Sequence, residues 1–318
     1  MVSQSAFRMD GHVTYRDDPP HEVWLQLMRS VCGFIFKNIS CSQLNITVSE
    51  KLEHRYCNVL ASFFPVGCIC STSYEHRWRA KNTTILGLFY VKKEFRGRGI
   101  GNELFRRIIG NKQEDNLYLN GMSYMLEKYR IHYNFIFATP WKVMWYQVRP
   151  EQMNASFLHS DESTVNINDV TLGNLSSVLN YDSYIQNDVN RTSFIQLFLT
   201  QKCADSKVAL EHSGRVVGIA TARLLINTEL FIGPLYAETP AVARRLLLAL
   251  LEGKHKGQYR NLQLQIPSVN DEGRAMVEGL SMGMCTTEDY TVGLSTRFQL
   301  QIDPSKIYST TEYDLSFV

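Results

Sequence analysis

Residues 86–110 read LGLFYVKKEFRGRGIGNELFRRIIG, an apolar run followed by a glycine-rich basic loop and a second apolar series. The apolar run from Ile85 to Val91 suits a buried strand. Lys92 to Gly101 is a basic loop dense in glycine. Beyond it, Ile100, Leu104, Phe105, Ile108 and Ile109 recur at helical spacing on one face, with Arg106 and Arg107 on the other. A strand, a glycine loop and a helix start build an anion site from backbone. The first N–H groups of a helix have no partner within it, and the helix dipole favours negative charge there. Gly97, Gly99 and Gly101 let the backbone approach a phosphate closely, and Arg96 and Arg98 add forked cationic donors.

The spacing selects among phosphate loops. A Walker A loop ends in Gly-Lys-[Ser/Thr], whereas Gly101 is followed by Asn102 and Glu103. A dinucleotide loop needs Gly-x-Gly-x-x-Gly, whose last glycine would fall at Asn102 or at Leu104. Arg96-Gly97-Arg98-Gly99-Ile100-Gly101 instead fits [Gln/Arg]-x-x-Gly-x-[Gly/Ala] and resembles the pyrophosphate loop of the GNAT acyltransferases. That resemblance implies acetyl-CoA as co-substrate and these six residues as its phosphate-binding loop. It also implies pantetheine contacts through the backbone of Phe89 and Val91, and a contact from Asn120 at the end of the next strand. Tyr129, nine positions on, falls where relatives carry the acid that protonates the departing sulfur. A phenol with a pKa of about 10 carries its proton at neutral pH. Relatives have Gly-Phe four residues after that tyrosine. Here Asn134-Phe135 follows at five, which leaves Tyr133 and Tyr124 as alternatives. Thr83 to Val91 contains no acid, so no base is evident. Glu94, His132, Glu75 and His76 are weaker candidates, and water can carry the amine's proton instead.

Composition sets the bounds. The chain has 318 residues, 44% of them hydrophobic and 20% charged, which suits globular folding and is long enough for two domains. A net charge of +2 argues against nucleic acid as the main partner. The first residues contain no apolar signal segment, and Val59 to Cys70 is too short and too interrupted to span a bilayer, so an intracellular (cytoplasmic) protein without a membrane partner is expected. Seven cysteines, an odd number, do not suggest a disulfide framework. Cys68 and Cys70 share one face of a strand and read as small buried hydrophobes, and no metal site is expected.

The flanking chain reads in order. A first strand lies near Val13 and Tyr15, a helix over His21 to Phe34, and a hairpin of His54 to Phe64 with Gly67 to His76 turns at Pro65. After the central helix come a strand at Asn116 to Leu119, a helix through Met122 to Tyr129, and strands at Phe135 to Ala138 and Val143 to Val148. A polar, aperiodic stretch at 149–169 marks the division into a catalytic domain at 1–155 and a second domain at 156–318. The second half repeats the series: a helical segment from Leu179 to Thr200, strands at 207–210, 216–225 and 230–235, a helix at 240–251, a strand at 262–266 and a helix at 271–280. Its loop, Tyr236-Ala237-Glu238-Thr239-Pro240, has neither glycine nor cation, Pro240 has no N–H, and Glu238 repels phosphate.

The fold class is therefore α/β (α+β with a mixed sheet): a GNAT-type fold followed by a degenerate GNAT-like domain. Ile232-Gly233-Pro234-Leu235-Tyr236-Ala237, Val217-Gly218, and Pro267 with Asn270 make that domain similar to the C-terminal domain of YitH/HolE-type acetyltransferases. The implied activity is N-acetyl transfer from acetyl-CoA to a small-molecule or peptide amine, directly within a ternary complex, with the acceptor cleft partly between the domains. One alternative is a pseudoenzyme that binds acyl-CoA as a sensor or scaffold. Another is a polyanion binder using Lys92, Lys93, Arg96, Arg98, Arg106 and Arg107.

Overall fold

Nine residues of near-continuous apolar character, TTILGLFYV, form β4 (Thr83–Val91), buried along almost its whole length in the middle of a mixed sheet. This is the pattern of a strand covered on both faces. The computed structural model describes residues 13–17, 54–61, 64–159, 165–225, 228–312 and 316–317. The helix expected over 21–34 lies outside these residues. Before β4 come β1 (Val13–Asp17), β2 (His54–Ala61) and β3 (Phe64–His76), paired antiparallel in that order and on to β4. After it come α1 (Ile100–Ile109), β5 (Asn116–Met122), α2 (Leu126–Tyr133), β6 (Phe137–Ala138) and β7 (Val143–Val148). The buried stripe of α1 is Ile100, Leu104, Phe105 and Ile108, as the spacing predicts.

The second half contributes β8 (Asn166–Asp169), α3 (Leu175–Ile185), β9 (Val189–Asn190), α4 (Thr192–Thr200), β10 (Ala204–Leu210), β11 (Val216–Leu224), β12 (Glu229–Ala237), α5 (Pro240–Leu251), β13 (Asn261–Pro267), α6 (Asp271–Leu280), β14 (Thr286–Ser295) and β15 (Ile307–Ser309). The expected bounds of α5 and α6 hold to the residue. Pro240 opens α5 beside the Thr239 cap, and the Asn270 side chain accepts from Gly273 N–H to open α6.

Four local expectations change. Pro65 is not the turn of the β2–β3 hairpin but lies inside β3 opposite Leu60, next to an irregularity in the register. Asn120 and Gly121 do not end β5 early, because β14 pairs alongside them, Gly293 with Asn120 and Val292 with Gly121. A Cβ at Gly121 would stand 2.9 Å from Leu126 Cδ2, so the glycine lets that leucine pack directly on β5. Residues 179–200 form two helices rather than one, separated by β9, which pairs with the end of β3. Nothing in the sequence marked β14 or β15.

Those last strands decide the architecture. The sheet runs β1-β2-β3-β4-β5-β14-β7-β13-β12-β11-β10-β8. A strand of the second half therefore sits between β5 and β7 of the first, and β7 in turn pairs with β13. One core joins the halves: Tyr74, Leu88, Tyr90 and Tyr118 pack in the same buried cluster as Val178, Phe194, Ile219 and Tyr236. Beneath it, Arg191 and Asp182 form a fully buried ion pair, and Arg191 also donates to Thr311 (3.1 Å), Ser316 (2.5 Å) and Tyr236 (3.1 Å). Every limb of that guanidinium has an acceptor, which a buried charge requires.

Candidate active site

The site begins where two parallel strands part. β4 and β5 pair only over Thr83–Ile85 with Asn116–Tyr118, and beyond that they diverge. At the same level β4 bulges: Cys68 faces Tyr90 but Cys70 faces Gly87, so two steps along β3 match three along β4. Leu88, in the bulge, has φ 50°, a left-handed conformation that a leucine adopts only when its surroundings hold it. Divergence and bulge open a cleft of about 610 Å³ between the strand ends, α1 and α2.

The glycine loop forms one end of this cleft. Gly97 and Gly99 have φ of 77° and 78°, and a Cβ at either would meet nothing within 4 Å. Glycine is required at both for conformation, and the space beside them is open. Gly101 differs: a Cβ there would stand 3.0 Å from Phe89 Cζ, so it permits α1 to approach β4. Gly99 caps α1 without side-chain help, which leaves the first-turn N–H groups facing this space. Arg96 Nε–H donates to the Val91 carbonyl at 2.9 Å, tying the loop back to the end of β4. Arg98 does not line the cleft; its guanidinium lies 5.5 Å from the centre of the Phe95 ring. Glu103, in the first turn, would oppose an anion, but Arg106 (2.6 Å) and Arg107 (2.7 Å) pair with it. Hydrogen bonds from these arginines push its carboxyl down to about 2. Two cations on the outer face of α1 are thus spent inside the helix.

The other wall is β5 with α2. Tyr129 is buried and lines the cleft, its ring 6.0 Å from Phe105 and 6.1 Å from Phe135. Tyr133 points elsewhere. Its ring stacks on Phe105 at 4.1 Å, its hydroxyl donates to Asn102 Oδ1 at 2.5 Å, and burial raises its pKa. Tyr124 stands at the cleft mouth, exposed. The extra residue before Phe135 is absorbed at the helix end: Asn134 takes φ 58°, and the N–H groups of Asn134 and Phe135 both point to the Tyr129 carbonyl. An asparagine does here what glycine commonly does. Asn120 lines the cleft, but its amide also donates to the Ser316 carbonyl at 3.1 Å and its oxygen accepts from Tyr118 at 3.2 Å.

Phe89, Val91, Arg96, Gly97, Gly99, Ile100, Gly101, Asn120 and Tyr129 therefore meet around one cavity, and Arg98 stands outside it. Of the weaker base candidates, only His132 lines the cleft. Glu94 is exposed on the loop, Glu75 pairs with Asn190 of β9, and His76 accepts from Trp78 N–H at the same strand end. Among the described residues lining the cleft, none is a carboxylate. Cys68 and Cys70 are buried, as their strand positions predict, but they also do what that reading did not foresee: their thiols donate to the carbonyls of Leu88 (3.0 Å) and Gly87 (3.2 Å). Their two-residue spacing opposite the central strand was the available signal.

The second half repeats the scaffold and closes it. β12 and β13 run parallel over Glu229–Ile232 with Asn261–Leu264. β12 carries the same two-against-three bulge, Ala220 facing Leu235 and Ala222 facing Ile232. Where the strands would part, β15 enters and pairs with Leu235 and Tyr236. Ser309 donates to the Ile232 carbonyl at 2.6 Å and accepts from Gln265 N–H at 2.9 Å, and Asn270 donates to the Ile307 carbonyl at 2.8 Å. The counterpart of the open cleft is filled by the chain itself.

Comparison with known proteins agrees with this duplicated layout. Residues 26–120 match the model of the acetyltransferase (GNAT) family, and residues 178–308 match a second acetyltransferase (GNAT) domain model. The uncharacterized Caenorhabditis elegans protein F36G3.2 is 26% identical over 191 residues, and the match spans 57% of each protein. The fold superposes on a Pyrococcus horikoshii protein provisionally assigned as an acetyltransferase, with TM-score 0.67, 16% identity and 99% of both chains covered. It also superposes on a tandem GNAT protein from the clavulanic acid biosynthesis pathway, with TM-score 0.65, 13% identity, 89% of this chain and 98% of the other. Saccharomyces cerevisiae N-myristoyltransferase gives TM-score 0.59 at 9% identity over 100% and 89% of the two chains.

Proposed function

Starting from a chain that carries two GNAT acetyltransferase domains in tandem, we propose that it is an N-acetyltransferase with one working donor site, in its first half, acting by direct transfer from acetyl-CoA to an amine. The observation that carries this reading is the contrast between halves. The first has an open splay, left-handed glycines with free space beside them and a cation at the loop; the second has the same splay filled by β15. The second half fits a YitH/HolE-type partner domain that shapes the molecule without a donor site of its own.

The residues fit the donor. The first-turn N–H groups of α1, the open backbone at Gly97 and Gly99, and the Arg96 guanidinium suit a pyrophosphate. Ile100 and Gly101 bring α1 against β4, and the backbone from Leu88 to Val91 offers the edge along which a pantetheine arm can lie. Acetyl-CoA supplies the activated thioester. Donors at the bulge polarise its carbonyl. Tyr129 is the acid that returns a proton to the departing sulfur from Oη. Phe89 and Phe105, whose rings meet edge to face at 4.7 Å, keep water from this end of the cleft. With no carboxylate among the described residues lining the cleft, the amine's proton leaves through water or through His132.

That same absence supports a second reading, a protein that binds acyl-CoA and transfers nothing. A screen of small amines, amino acids and peptides, read by release of free CoA thiol, separates the two. Turnover with any amine establishes transfer. Thermal stabilisation by acetyl-CoA without thiol release in the whole screen favours the binding protein. Binding itself is tested by Gly99→Asp, which places a negative side chain in the loop. Acetyl-CoA at ~1,000 times its Kd should stabilise the wild type by about 4 kcal/mol and leave this variant unshifted.

A further inference from the structure

The β4 bulge has a dedicated pair of side chains behind it. Cys68 and Cys70 stand two apart on β3, both fully buried. The Cys68 thiol donates to the Leu88 carbonyl at 3.0 Å, and the Cys70 thiol to the Gly87 carbonyl at 3.2 Å. In a trans peptide the C=O and N–H of one plane point in opposite directions. Drawing these two carbonyls toward β3 therefore turns the N–H groups of Leu88 and Phe89 the other way, toward the side on which β4 and β5 part. Gly87, Leu88 and Phe89 all line the cleft.

The second half supplies an internal comparison. By register, Ala220 and Ala222 occupy the places of Cys68 and Cys70, and Ile232 that of Gly87. Alanine has no donor. There the Ile232 carbonyl is taken by Ser309 at 2.6 Å, from the strand that fills the slot. Thiol donors occur behind the bulge that faces an open cleft; where the cleft is closed they are absent, and the Ile232 carbonyl is held from the opposite side, by the plug.

We propose that Cys68 and Cys70 are positioning residues for acyl transfer, their S–H groups fixing the bulge so that the Leu88 and Phe89 N–H groups aim at the acyl carbonyl. The proposal rests on the transfer reading above, so its test has one arm that needs no turnover. In the ligand-free protein, the backbone amide and carbonyl resonances of residues 87–89 should move clearly in the Cys68→Ala/Cys70→Ala variant and stay near their wild-type positions in the Cys68→Ser/Cys70→Ser variant. Unmoved resonances in the alanine pair overturn the proposal even if the wild type transfers nothing. With an acceptor in hand, the alanine pair should lose about 10-fold or more in kcat, a fraction of what one carbonyl donor is worth. KM for acetyl-CoA should stay within about twofold, and serine should restore kcat. Equal loss in the serine and alanine pairs, or a raised KM at unchanged kcat, would show ordinary packing instead. If the alanine pair does not fold, Cys70→Ala alone is measured against Cys70→Ser by the same criteria.

Discussion

Gly99 and Gly101 stand two residues apart and are required for different reasons, which a single substitution series can separate. At Gly101 the obstacle is Phe89, 3.0 Å from where a Cβ would sit. Gly101→Val should destabilise the protein by about 1–3 kcal/mol through overpacking, seen as a lower urea midpoint with or without ligand. At Gly99 nothing obstructs a Cβ, and Gly99→Ala should cost only about 1–2 kcal/mol of left-handed strain. Tyr129→Phe should leave the thermal shift with acetyl-CoA intact and lower kcat by roughly 10²-fold if the phenol is the acid; unchanged turnover would remove it from that role. At this scale the loop's conformation was legible because its glycines lie within six consecutive residues. Arg98 was not, because whether an arginine faces a cleft or a neighbouring ring depends on its rotamer. The orienting part of Cys68 and Cys70 depends on a register between two strands, which their own positions do not state.

Secondary elements with their own punctuation were readable from sequence. α5 begins at Pro240 after a Thr cap and α6 after an Asn cap, and both run as expected. β14 escaped notice because TTEDYTVGLS breaks alternation with Glu288 and Asp289 and has an irregular register between Thr287 and Tyr290. β15 is three residues long and takes its structure from β12. Since β15 occupies the second splay, calorimetric titration with acetyl-CoA should give one site per chain, and a stoichiometry of two would contradict that. Within α1, the folded pKa of Glu103 lies below its ordinary value of 4.5, at about 2. Its stabilising contribution is present above pH 4.5 and is lost as pH falls toward 2. Glu103→Gln should therefore melt slightly below wild type at pH 7, with the gap closing as the pH approaches 2. A gap independent of pH would assign the effect to packing.

The whole molecule is less divisible than its repeated sequence pattern implies. Two similar series of strands and helices read as two separate units, and nothing local reveals that β14 lies between β5 and β7. With β7 on β13 and one core spanning both halves, unfolding should be a single calorimetric transition, its measured enthalpy equal to the van't Hoff value. Two resolved transitions would show that the halves are energetically separate. Residues 1–159 expressed alone should expose the β5 and β7 edges and aggregate, as unpaired strands do.

The placement of β14 also sets an order of events at the ribosome. Domains usually fold as they emerge, N-terminal first. Here β5, which carries Asn120 and leads into Tyr129, waits for a neighbour encoded 169 or more residues later, since Met122 pairs with Thr291 at 169 residues' remove and Asn120 with Gly293 at 173. A nascent chain stalled before Thr286 has a complete glycine loop and an unfinished wall. Its cleft gains that wall only once Thr291–Ser295 have paired with β5, so on the donor-site reading proposed above acyl-CoA binding would report that synthesis had passed β14.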